Sequence, residues 1–134
     1  MKKSVLEVVK RDLLCPRGLR TLAPNHPDYV GKYEGDQTQR DLSFHQGSAW
    51  PWLISHFCEG YLNLYKKSGL ALVKSIVKDF EPVMSEHGIG SISEIYDGDP
   101  PYAPHGAISQ ASSVAALLTV IAKIDEMENS EEAL

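Results

Sequence analysis

Two places in the 134-residue chain gather side chains that could do chemistry. One is Ser91-Ile92-Ser93-Glu94-Ile95-Tyr96-Asp97-Gly98-Asp99, where a carboxylate stands between isoleucines in a stretch framed by glycines. Apolar neighbours tune a carboxyl group toward acid–base work. Glu94 is therefore the candidate for chemistry, the alternative being a solvated loop glutamate that caps the last helix. The other is Arg40 to Trp52, RDLSFHQGSAWPW, which sets a cation, an anion, an imidazole, an amide and two indoles around a glycine. Cleavage of a glycosidic bond needs two carboxyl groups flanking it, and flat apolar surfaces for the sugar faces. The CH face of a pyranose packs on an indole, and its hydroxyl edge wants Asp, Asn, Gln, Arg or His. The two stretches together read as parts of a carbohydrate site. Arg40, Asp41, His45, Gln46, Trp50, Trp52, Asp97 and Asp99 are the candidate sugar contacts. His45 and Gln46 either orient hydroxyls or only satisfy loop carbonyls.

Other chemistries fail on spacing. Gly88-Ile89-Gly90 superficially resembles a phosphate loop, but it follows a helical pattern and position 93 is Ser, so a dinucleotide site is excluded. In Asp97-Gly98-Asp99, prolines stand where a calcium loop needs its next ligands. The five histidines show no i, i+4 pairing, and no metal or other cofactor is expected. No G-x-S-x-G elbow is present. The net charge of -5, with no basic patch, argues against nucleic acid and against anionic membrane surfaces. The most apolar run, Val114 to Ala122, is far too short to cross a bilayer. Cys15 and Cys58, far apart and without metal spacing, read as two unpaired thiols of a reducing compartment, so a cytoplasmic location is expected.

The elements that must position these groups read as helices. Ser4 to Leu14 has Ser4 and Glu7 in capping-box spacing, with Val5, Val9 and Leu13 on one face. Gly18 to Ala49 shows no sustained period and is expected to be a long functional loop. It carries Arg20, Asp28, Tyr29, Tyr33 and Asp36 as well as Arg40 and Asp41. Trp50 to Lys67 is the clearest helix, with Pro51 at its first position and the stripe Trp50, Leu53, Ile54, Phe57, Tyr61, Leu64, Tyr65. On such a helix Trp50 and Trp52 point about 200° apart. Trp50 is then a core residue or a ligand wall, and Trp52 a ligand platform or a contact with another chain. Leu70 to Phe80 follows, Pro82 restarts a short piece, and Ser109 to Met127 forms a last helix apolar on nearly every side, to be sheathed by neighbours. Asn129 to Leu134 reads as an acidic tail. The expected fold class is all-α, about four helices with two long loops.

Gly18 to Leu53, GLRTLAPNHPDYVGKYEGDQTQRDLSFHQGSAWPWL, and Gly88 to Leu118, GIGSISEIYDGDPPYAPHGAISQASSVAALL, resemble two segments near the end of glycogen debranching enzymes of the amylo-α-1,6-glucosidase type. The resemblance covers almost the whole chain in order. It implies an (α/α)6 toroid, with residues 1–134 as a single partial domain, the C-terminal third of a six-hairpin glycosidase. It also implies inverting chemistry in which Glu94 is the general base, and His45, Gln46, Trp50 and Trp52 line the glucose pocket, with Arg40-Asp41 beside them. The general acid is expected on a part of the catalytic domain upstream of this chain. The implied partners are an α-glucan and the missing N-terminal part, or else self-association. The alternative is a catalytically incomplete, oligomeric or weakly glucan-binding module. The chain departs from the family pattern at Phe44 (for Tyr), His105 (for Arg), and Ser112 and Ala116 (for Trp and Glu).

Overall fold

The computed structural model describes residues 2–130. Each of the four expected helices is present, and ten residues of the expected long loop form a further one. Helix α1 spans Lys2–Val8 and runs on as a π-helical turn, Val9–Leu13. α2 is Gln37–Gln46, α3 Ile54–Tyr65, α4 Leu70–Lys78 and α5 Ala111–Asn129. Short 3-10 turns at Pro51–Leu53, Lys66–Gly69 and Pro82–Ser85 lead into or follow α3 and α4. Position 82 restarts the chain as expected, since a proline at the start of a turn gives up no needed hydrogen bond. Residues 131–134, most of the acidic tail, lie outside the described residues.

The all-α expectation is overturned. Five short strands form one antiparallel sheet in the order β1 (Leu14–Cys15), β2 (Gly18–Arg20), β3 (Ala49–Trp50), β4 (Ile95–Tyr96), β5 (Pro104–His105). A purely helical toroid segment does not describe this chain. The physical reason is length: strands of two or three residues are too short to write a period-2 alternation into the sequence. Both stretches read as loops close onto this sheet. Cys15-Pro16-Arg17-Gly18, which follows α1 and its π-turn, forms a tight hairpin, Cys15 facing Gly18. Gly18 has φ +141°, and a Cβ there would lie 2.6 Å from the Trp50 carbonyl, so only glycine lets β2 approach β3 this closely.

One core joins α1 and its π-turn, α3, α4, α5 and residues from both faces of the sheet, Leu19 on one and Cys15, Ala49 and Tyr96 on the other. Its fully buried members include Ile54, Cys58, Leu62, Val73, Phe80, Val83, Ile92 and Tyr96. The α3 stripe holds at Ile54, Phe57 and Tyr61, but Leu64 is exposed. In α1 and its π-turn, Val9 and Leu13 pack as expected, but Leu6 takes the place of Val5, which is exposed. The π-turn widens the helix after Val8 and changes which residues share a face. Nor is α5 sheathed all round. Ala116, Leu117, Val120 and Ile124 face the core while Leu118 is exposed.

α2 owes its start to Asp36, whose Oδ1 accepts the Gln39 amide at 2.9 Å, while the Gln39 side chain accepts the Asp36 amide at 2.9 Å. This reciprocal box satisfies two amides that the first turn would otherwise leave unpaired. Only Ser43 of α2 is buried, so the helix carries no apolar period.

Candidate functional site

Glu94 sits at the entry to β4 with Ile92 and Ile95 buried on either side of it. Its main-chain amide donates to Ala107 O at 2.9 Å, and Ala107 N donates back to Glu94 Oε2 at 3.0 Å. Gly106, at φ +70°, turns the chain so that this amide faces the carboxylate. One carboxylate oxygen is thus anchored to the main chain, while Oε1 makes no hydrogen bond among the described residues. The preceding residue is pinned as well. Ser93 N donates to Tyr96 Oη at 3.1 Å, and Ser93 Oγ lies 2.8 Å from His87 Nδ1 and donates to Ile108 O at 3.4 Å. Glu94 does not cap the last helix. The N-cap of α5 is Gln110, which receives no side-chain cap.

Asp97 and Asp99 form a second cluster with the 29–33 segment. Asp97 is 5% exposed. Its Oδ1 accepts the Tyr33 amide at 2.8 Å and His105 Nε2 at 2.9 Å, and its Oδ2 faces Lys32 Nζ at 3.3 Å. Lys32 also donates to Pro100 O at 2.7 Å. Asp99 Oδ1 accepts the Tyr29 hydroxyl at 2.9 Å. Burial first, and this bond second, push the Tyr29 phenol up to about 12. Gly98 N donates to Gly31 O at 2.8 Å, and Arg20 Nε donates to Gly98 O at 2.8 Å, so the loop after β4 is tied to both β2 and the 29–33 segment. Both oxygens of Asp97 are engaged within the protein, which leaves it a tie between loops more than a free acceptor.

The aromatic residues gather at the junction of α2 and β3. His45, Trp50 and Trp52 line an open groove of about 250 Å3 together with Thr21, Phe44 and Leu53. Phe44 meets Trp50 edge-on at 4.6 Å, and the Trp50 indole N–H donates to Phe44 O at 3.3 Å. Trp52 is 38% exposed, with His56 edge-on at 5.8 Å. The two tryptophans do not diverge as on a helix. Trp50 ends a strand and Trp52 sits in a 3-10 turn, and the change of backbone brings both onto one groove. Gln46 ends α2, where its carbonyl accepts the Val30 amide at 2.8 Å. Arg40 and Asp41 are not paired with each other. Arg40 Nη1 donates to Gly35 O at 2.7 Å, and Asp41 is exposed on α2.

The sheet register connects these parts. Leu14 faces Leu19, Leu19 faces Trp50, and Ile95 faces His105; since Ala49 faces Tyr96, Trp50 comes next to Ile95. Residues paired across strands share a face. Trp50, Ile95 and His105 therefore form one row, with the rings of Phe44 and Tyr33 beside it. Tyr33 lies 5.1 Å from His105 and 6.4 Å from Phe44. Sequence reasoning did not single out His87 or His105 for the site, because their partners come from strand pairing and loop closure. Tyr33 appeared only among many polar loop groups.

Compared with protein-family models, residues 1–119 match the family described as amylo-alpha-1,6-glucosidase. The match includes the groove, the Asp97 cluster and the Glu94 hairpin.

Proposed function

The chain belongs to the amylo-α-1,6-glucosidase family, as a glycogen debranching enzyme C-terminal region, and on that premise we propose that it supplies the general base and part of the glucose pocket for inverting hydrolysis of α-1,6 branch glucose. The observation that carries this reading is the state of Glu94, whose Oε2 is anchored by the Ala107 amide while Oε1 has no partner among the described residues. A carboxylate fixed at one oxygen keeps a constant aim for the other, which positioned acid–base chemistry requires. In this scheme Oε1 takes a proton from the water that attacks the anomeric carbon. An acid on a segment other than this one protonates the leaving oxygen, and the two carboxyl groups stand roughly 6.5–9.5 Å apart. Trp50 and Trp52 carry the apolar face of the glucan, and His45, Gln46, Arg40 and Asp41 serve its hydroxyl edge. Asp97 and Asp99 hold the Glu94 loop against the 29–33 segment. The buried, unpaired Cys15 and Cys58 suit work in the cytoplasm.

Incubation with an α-1,6-branched dextrin tests the assignment. The chain alone is expected to release no glucose. Together with the segment that carries the acid it should do so, and Glu94→Gln should abolish that release. Release that survives Glu94→Gln overturns the base assignment, and release by the chain alone overturns the need for a second segment. A second reading, a glucan-binding module that self-associates, is favoured by a groove built entirely within this chain and by the exposure of Ile89, Ile108 and Leu118. Sedimentation as a stable monomer would count against it.

A further inference from the structure

The Asp97–His105 pair fixes more than a loop. Asp97 Oδ1 already accepts the Tyr33 amide, and Oδ2 faces the Lys32 ammonium, so the carboxylate acts as an acceptor throughout. The hydrogen in the 2.9 Å contact with His105 therefore sits on the histidine Nε2. That choice leaves Nδ1 of the neutral ring as an acceptor, and Nδ1 has no protein partner among the described residues. The ring is held in two ways, along its plane by Asp97 and from the side by Tyr33 at 5.1 Å. It is nonetheless open to solvent, its side chain being 27% exposed. Register places it in the same row as Trp50, two strand spacings away, or roughly 10 Å, across the buried Ile95, with the rings of Phe44 and Tyr33 alongside. That is more than one pyranose ring spans.

We infer that His105 is a substrate-contacting residue, accepting a hydroxyl hydrogen at Nδ1 from a glucose unit beyond the one on Trp50 and Trp52, so that the wall reads a chain of α-linked glucose rather than a single sugar. This rests on the glucan reading above and extends it to a residue that neither aromatic stacking nor acid–base chemistry requires. An apolar wall gives affinity for a sugar face with little sense of position. An oriented acceptor adds register, because only one hydroxyl meets it when the ring lies flat.

Two measurements on the whole chain test this. The first is tryptophan-fluorescence titration with glucose, maltose and maltotriose for the wild type, His105→Gln and Trp52→Ala. The second is the 15N resonance of the His105 ring in the wild type. Glutamine keeps an N–H where Nε2 donates to Asp97 but has no acceptor at Nδ1. His105→Gln should therefore hold its thermal midpoint and its glucose affinity, and bind maltotriose about 3- to 10-fold more weakly, the range of one neutral hydrogen bond. The Nδ1 resonance should move with maltotriose and not with glucose. Maltotriose binding unchanged in a folded His105→Gln overturns the inference, as does an unmoved Nδ1 resonance at saturating maltotriose. If Trp52→Ala loses binding while both His105 readouts stay silent, this inference alone falls. A wild-type chain that binds none of the three sugars removes the glucan reading with it.

Discussion

Replacing Gly106 with alanine tests how the Glu94 carboxylate is held. At φ +70° an alanine pays for a left-handed backbone, about 1–2 kcal/mol. Its Cβ would also lie 2.5 Å from Glu94 Oε2, 3.0 Å from Glu94 Cβ and 3.2 Å from Cδ. The first of these is shorter than any real contact, so the carboxylate must swing away and give up the Ala107 amide. A hydrogen bond to a charged group is worth roughly 1.5–3 kcal/mol. Glu94 is half-buried, so water recovers part of this and the lower end applies. Gly106→Ala should therefore destabilise by about 2–4 kcal/mol in urea unfolding, with an unchanged slope. The decisive measurement is the double-mutant cycle with Glu94→Ala. With the carboxylate gone, Gly106→Ala should cost only its backbone share, about 1–2 kcal/mol, which leaves about 1–2 kcal/mol of coupling. Equal cost in the two backgrounds would refute the idea that Gly106 makes room for, and aims, that carboxylate. Hydrogen exchange at the Ala107 amide gives a second check, since its protection should fall in either single variant.

Two further outcomes follow from the clusters around the site. Asp97→Asn weakens the pull on Lys32 and turns an amide hydrogen toward one of three donors, so it should cost about 2–4 kcal/mol in chemical denaturation; a change within about 0.5 kcal/mol would show that the tie is idle. The Tyr29 phenol and the Cys58 thiol are both raised to about 12 in the fold, Tyr29 by burial and then its bond to Asp99, Cys58 by burial alone. Raised acids stabilise the fold fully below their unfolded values, about 10 and 8.5, and that contribution is lost as pH climbs through about 12. Alkaline unfolding followed by circular dichroism should show this loss, with a shallower pH slope in Tyr29→Phe.

The helices were legible because α3 and α4 bury recurrent apolar residues, and Leu70 to Phe80 fell where it was expected. The sheet was not, since no strand is longer than three residues and the middle strand finds both its partners far along the chain. α2 was missed for a different reason. It buries only Ser43, yet Asp36 and Gln39 carry its start signal, an N-cap acid with an amide three residues on, and that spacing is visible without any apolar stripe. The groove residues were legible by type, and the direction of the tryptophans was not. Angles drawn for a helix do not apply to a strand followed by a 3-10 turn. Glu94 stood out through its isoleucine neighbours, while its anchor is a main-chain amide that no side-chain pattern announces.

β3 is the middle strand, and it touches chain that is made well before it and chain that is made long after it. Leu19 and Trp50 meet across 31 residues, and Ala49 and Tyr96 across 47. Closing such loops costs entropy before any contact repays it. The groove and the Glu94 hairpin are therefore set side by side only when this long-range pairing closes. Each part has its own hold, Trp50 against Leu19 and the Glu94 carboxylate on the Ala107 amide, and a single pair of residues, Ala49 and Tyr96, decides where one stands relative to the other.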